Sequence, residues 1–116
     1  MEQVAEVYQP MPDNLIRIHT EGDGKKLEVL ADYKEERHFT VRLTNSEADR
    51  LASELRSPNG LQNWIRLGNG QILRVVRSGE VHQLILSDIR GGQEISAAPT
   101  GVILDEVLDK VVDALI

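Results

Sequence analysis

Apolar and polar side chains alternate from Leu15-Ile16-Arg17-Ile18 into His19-Thr20, the period-two pattern of a half-buried strand. Gly22-Asp23-Gly24 then supplies the positive-φ residues of a tight hairpin. Residues 26–33 continue as a strand with Leu27, Val29, Ala31 and Tyr33 on one face, and the polar run Lys34-Glu35-Glu36 turns the chain. A third strand over 38–43 sends Phe39, Val41 and Leu43 inward and His38, Thr40 and Arg42 outward, because successive strand side chains take opposite faces. Residues 1–13 carry no such pattern and are expected to be irregular.

The period changes at Thr44. Thr44-Asn45-Ser46-Glu47 fits a capping box, in which the threonine hydroxyl and the glutamate carboxylate each satisfy a free backbone N–H. Ala48, Leu51, Ala52 and Leu55 recur at helical spacing, so residues 45–56 form an amphipathic helix. Ser57-Pro58-Asn59-Gly60 ends it.

The second half runs similarly. Trp64-Ile65-Arg66-Leu67 corresponds to Leu15-Ile16-Arg17-Ile18, and Gly68-Asn69-Gly70 to the first hairpin turn. Leu73-Arg74-Val75-Val76 matches Leu27-Glu28-Val29-Leu30, and a strand over 81–87 follows the turn at Ser78-Gly79-Glu80. After Gly91-Gly92 one more short strand fits 94–98, and Pro99-Thr100-Gly101 separates it from a long terminal helix reaching Leu115. The expected fold is α+β over 1–116, an antiparallel meander plus helix repeated twice (βββα-ββββα). Its halves are 14–58 and 59–116, with the helices on one side of the sheets.

In the terminal helix Ile103, Leu104, Val107, Leu108, Val111, Val112, Ala114 and Leu115 cover about half the circumference, wider than the roughly 100° stripe one sheet requires. Either the first helix covers the surplus or a second subunit does. The expectation is a homodimer, with Leu108 and Val112 as contacts. Asp105, Asp109 and Asp113 share one face of that helix and offer carboxylates to a partner.

Composition narrows the function. The chain has 116 residues, 41% of them hydrophobic and 28% charged, which is globular. It has no cysteine, which rules out disulfides, thiolate metal sites and cysteine nucleophiles and favours a cytoplasmic setting. No apolar run approaches the length of a membrane helix. The net charge of −6 disfavours a polyanionic partner. That charge is uneven: residues 61–90 hold Arg66, Arg74, Arg77 and Arg90 against Glu80 and Asp88.

Catalytic chemistry finds no footing. His19, Glu21 and Asp23 alternate into a turn, but calcium takes about six to eight oxygens and zinc about four ligands, so no metal is expected. Gly22-Asp23-Gly24-Lys25-Lys26 enters a strand, not a helix, so it lacks the helix N-terminus of a phosphate loop. No serine sits on a nucleophile elbow. His19, His38 and His82 are expected at strand exteriors or edges. Trp64, the one tryptophan, is expected in the core, with an interface anchor or base-stacking platform as the alternative.

In element order from Leu15 to Leu115 the chain resembles the Whirly and Pur-alpha single-strand-binding folds. The resemblance implies curved sheets that present basic and aromatic residues to nucleic acid, here Arg17, His19, Arg42, Arg66 and Arg74 with Trp64. A second likeness is to the pleckstrin-like barrel, with residues 45–56 as an insertion. Against nucleic acid stand the net charge of −6 and the scarcity of aromatics, one Trp, two Tyr and one Phe. The leading expectation is therefore a non-enzymatic protein-binding module without cofactor, of adaptor, inhibitor, immunity or chaperone type. Single-stranded nucleic-acid binding is the alternative.

Overall fold

A computed structural model of the protein describes residues 3–10, 14–31, 38–56 and 62–116. Strands β1 (Gln3–Tyr8), β2 (Asn14–Glu21), β3 (Gly24–Ala31) and β4 (His38–Thr44) form one antiparallel meander, and helix α1 (Asn45–Arg56) follows. Strands β5 (Gln62–Arg66), β6 (Gln71–Ser78), β7 (Val81–Arg90) and β8 (Gln93–Leu104) form the second. A 3-10 turn at Asp105–Val107 leads into helix α2 (Leu108–Leu115). The α+β class and the meander-plus-helix repeat are those the sequence indicates. The two sheets are separate, so the barrel likeness falls away. The expected turns at 34–36 and 57–60 lie outside the described residues, as does Tyr33.

Three elements differ from expectation. Residues 1–13 are not irregular throughout, because β1 pairs along β2 from Gln3 opposite Thr20 to Tyr8 opposite Leu15. Its alternation is masked in sequence: Val7 is buried, but apolar Val4 and Tyr8 point outward. The first meander therefore has four strands, and the sequence correspondence of residue 15 with residue 64 pairs β2 with β5, one strand out of topological step. Pro99-Thr100-Gly101 does not end a strand. β8 runs through it on a sheet edge, where a missing N–H is tolerated, and the irregularity is absorbed as a register shift opposite Leu84/Leu86. Gly101 sits where a Cβ would come within 2.9 Å of Phe39 Cγ and 3.2 Å of Val29 Cγ2, so its missing side chain lets β8 rest on the first sheet.

The terminal helix is correspondingly shorter than expected. Ile103 and Leu104 belong to β8, and only 108–115 is α-helical. The wide apolar stripe is absorbed inside the chain, where Val111 and Val112 are fully buried and Leu115 is 1% exposed. α2 packs on α1, β1 and β2, and α1 also meets β3, β4 and β5. One core results, joining Ile16, Leu27, Phe39 and Leu51 to Ile65, Leu73, Leu84 and Val112. Gln9, buried after β1, stitches the halves together. Its Nε2 donates to the Val102 carbonyl at 2.8 Å, and its Oε1 accepts from Leu104 N at 2.7 Å.

The capping box forms as read. Glu47 N donates to Thr44 Oγ1 at 3.1 Å, and Thr44 N donates to Glu47 Oε1 at 2.9 Å. Thr44→Ala removes one of these bonds at an exposed helix start, and denaturant melts should show a loss of about 1 kcal/mol.

Candidate nucleic-acid interface

Each sheet turns one face to the core and the other outward. The outward face is largely open apart from the buried Leu30 on the first sheet and the buried Ile72 and Ser87 on the second. On β5 Ile65 is fully buried, so its neighbours Trp64 and Arg66 stand on the outer face. Trp64 is 53% exposed, which corrects the expectation of a core tryptophan. The register explains the placement, because Trp64 pairs across the sheet with Arg74, and Ile65 with Leu73. The Arg74 guanidinium lies 4.3 Å from the indole centroid, within the range of a cation–π contact.

Arg74 is also held by Glu94 of β8. Its Nε donates to Glu94 Oε1 at 2.5 Å, and its Nη2 bonds Glu94 Oε2. This hydrogen bonding with Arg74 holds the Glu94 carboxyl below the ordinary glutamate range, and the same bond holds the guanidinium above its usual value. Because the folded carboxyl is the stronger acid, the pair's stabilisation is present above the unfolded glutamate pKa. It is lost only as pH falls through the depressed value.

Two further guanidiniums lie near Trp64. Arg66 is exposed and makes no ion pair among the described residues. Arg50, on the exposed side of α1, brings Nη2 to 3.5 Å from the Trp64 carbonyl oxygen. A second tie, Gly68 N donating to Glu47 Oε2 at 2.8 Å, keeps α1 alongside β5. Sequence reasoning missed Arg50 and Glu94. Arg50 reads as an ordinary helix-surface charge, and Glu94 meets Arg74 only through a contact across twenty residues.

The outer face of the first sheet carries the other predicted residues, mostly in ion pairs. Arg17 Nε lies 3.4 Å from Glu6 Oε2, Arg42 Nη1 2.7 Å from Glu21 Oε2, and His19 Nε2 2.5 Å from Glu28 Oε1. Tyr8 is 72% exposed on the same face, so two aromatics face solvent among the described residues. His19, Glu21 and Asp23 do not converge: the first two are paired elsewhere, and no metal-binding cluster occurs among the described residues. The side chain of His38 lies outside the described residues.

His82 is buried, not at an edge. Its Nδ1 lies 2.9 Å from Asp105 Oδ1, and Arg77 Nη2 lies 3.7 Å from Asp105 Oδ2. Asp105 N donates to the Glu80 carbonyl at 2.9 Å, which fastens the start of β7 to the turn before α2, and the approach to His82 removes Asp105 from any carboxylate stripe. Asp109 remains exposed, while Asp113 lies 3.6 Å from Arg56 Nη2. Leu108 is half-buried and Val112 fully buried within the chain, so α2 offers no apolar docking face of the expected kind.

No protein-family model matches the chain, and no curated protein matches it in sequence. Among solved structures, a guide-RNA-binding protein complex bound to a guide RNA contains a chain of similar fold. The TM-score is 0.59 at 11% identity, over 99% of this chain and 88% of that one. MRP1/MRP2 of Trypanosoma brucei gives 0.45 at 10% identity, over 100% and 94%. The first of these likenesses stands against two expectations drawn from the sequence, the protein-binding module and the disfavouring of nucleic acid as a partner. The physical error was to let a whole-chain charge stand for a surface. The −6 total sums over all residues, whereas the surroundings of Trp64 carry Arg66 and Arg74 on the sheet face and Arg50 at the strand backbone, with Glu94 and Glu47 as counter-charges. The acidic groups Glu80, Asp105 and Glu106 gather instead around a separate open groove at the end of β8.

No helix among the described residues is long and apolar enough to cross a membrane.

Proposed function

We propose that the protein binds single-stranded nucleic acid, without catalysis, on the outer face of its second sheet. Trp64 stacks on a base, and Arg66 and Arg50 contact phosphates. The observation that carries this reading is the solvent-exposed Trp64, set beside the exposed guanidiniums of Arg50 and Arg66. Aromatic faces combined with a cationic track are the physical basis of single-strand binding, because every base has a π-face and every phosphate a charge. The shared fold of a protein complex that binds guide RNA supports the reading. Tyr8 and Arg17 would extend the surface to the first sheet. The absence of cysteine supports a cytoplasmic site of action.

Fluorescence anisotropy with a labelled, unstructured oligonucleotide tests this across a salt series. Binding should weaken with salt, with a log–log slope of about −0.7 per phosphate contact on a single strand. Arg66→Ala and Arg50→Ala should each reduce the magnitude of that slope by about 0.7. Duplex of the same length should bind more weakly. Salt-independent binding, or none above the non-specific level, would refute the proposal.

A further inference from the structure

The sequence places Arg74 among the phosphate contacts, yet its guanidinium is already occupied on two sides. Two bonds to the Glu94 carboxylate fix the plane of the fork, as side-on arginine–carboxylate pairs do. That plane lies 4.3 Å from the Trp64 ring centroid, so one face of the indole is covered. The pair is sheltered, with side chains 23% and 25% exposed, while the tryptophan it touches is 53% exposed. A phosphate reaching Arg74 would have to displace a carboxylate that the fold holds in place. It would form charge-assisted bonds of the kind it had just broken, so little is gained. Already neutralised by Glu94, Arg74 would also displace few of the counterions condensed on the strand.

What the pair does supply is a rigid backing. An indole on an edge strand can turn about both side-chain torsions, and a base that stacks on it must freeze those rotations. A guanidinium locked against one face removes that freedom beforehand, and ordering in advance reduces the cost of binding. We infer that Arg74 and Glu94 are positioning residues that hold Trp64 as a one-sided shelf. The shelf takes a single unpaired nucleobase on the open face of the indole. The inference rests on the single-strand reading above and deepens it. A paired base has both faces inside the duplex stack, so the shelf also selects against double strands.

Trp64 is the only tryptophan, so fluorescence excited at the red edge, where tyrosine does not absorb, reports from this site alone. The test is a titration of the native chain and of the charge-neutral double variant Arg74→Met/Glu94→Gln with a short unstructured oligonucleotide. An abasic strand of the same length serves as the second ligand. The native chain should show quenching on binding, absent with the abasic strand. The double variant should bind about 2- to 10-fold more weakly, with less quenching and an unchanged salt slope. A merely structural role would not separate affinity and quenching from the slope in this way.

A slope reduced in magnitude by about 0.7 in the double variant would make Arg74 a phosphate contact and overturn the inference. Equal affinity of the double variant, or equal affinity of the native chain for the abasic strand, would do the same. Salt-dependent binding without quenching overturns this inference and the stacking role of Trp64, and leaves only the phosphate contacts of the functional reading standing. Absence of any binding by the native chain removes both.

Discussion

Leu51→Ala should destabilise the protein by about 2–5 kcal/mol, the range for a buried leucine cut to alanine when neighbours cannot close the cavity. Leu51 is fully buried on α1. That helix touches α2 as well as β3, β4 and β5, so it bridges the two meanders. A void at this position has walls from both halves, and neither can move in without dragging its sheet. The denaturant midpoint should fall with the slope unchanged, because the surface exposed on unfolding is nearly the same. Ser53→Ala, on the exposed side of the same helix, should stay within about 0.5 kcal/mol and serves as the control. A Leu51→Ala chain that melts with the wild type would show that the core does not depend on this helix.

The parts of the fold legible in the sequence were those set by local rules. The capping box reads correctly because both of its bonds span three residues, and α1 begins and ends where its spacing says. Strands β2 and β4 read correctly because one face is buried and the other polar. β1 was hidden because Val4 and Tyr8 are apolar and yet face solvent, which erases the alternation. β8 was cut short because Pro99 and Gly101 look like punctuation. In the fold they are an edge residue and a point of close approach to Phe39.

The interface was legible only in part. Arg17, Arg42, Arg66 and Arg74 do stand on outer faces, as strand phasing indicates, but phasing does not reveal which of them are already paired. Glu6, Glu21 and Glu94 engage three of the four, and each of those contacts is made across strands. The surplus apolar arc on α2 raised a similar ambiguity. Periodicity shows that the arc must be covered, not whether a helix of the same chain or a second chain covers it. Here α1 and the first sheet do so.

Trp64→Ala should weaken single-strand binding by about 1–3 kcal/mol, the contribution of one base stacked on an aromatic side chain. Because stacking is a contact between uncharged rings, the salt slope should stay where it is, whereas Arg66→Ala should reduce it. The two substitutions therefore separate the site into a part that grips the base and a part that grips the backbone. Trp64→Phe should retain most of the affinity, since any aromatic face can stack, although the smaller ring offers less area. Tyr8→Ala extends the measurement to the first sheet. A further loss there, seen only with longer oligonucleotides, would mean that one strand crosses both outer faces. If Trp64→Ala binds as tightly as the native chain, an exposed tryptophan beside exposed guanidiniums has no part in gripping the strand, and the nucleic-acid reading loses the observation that carries it.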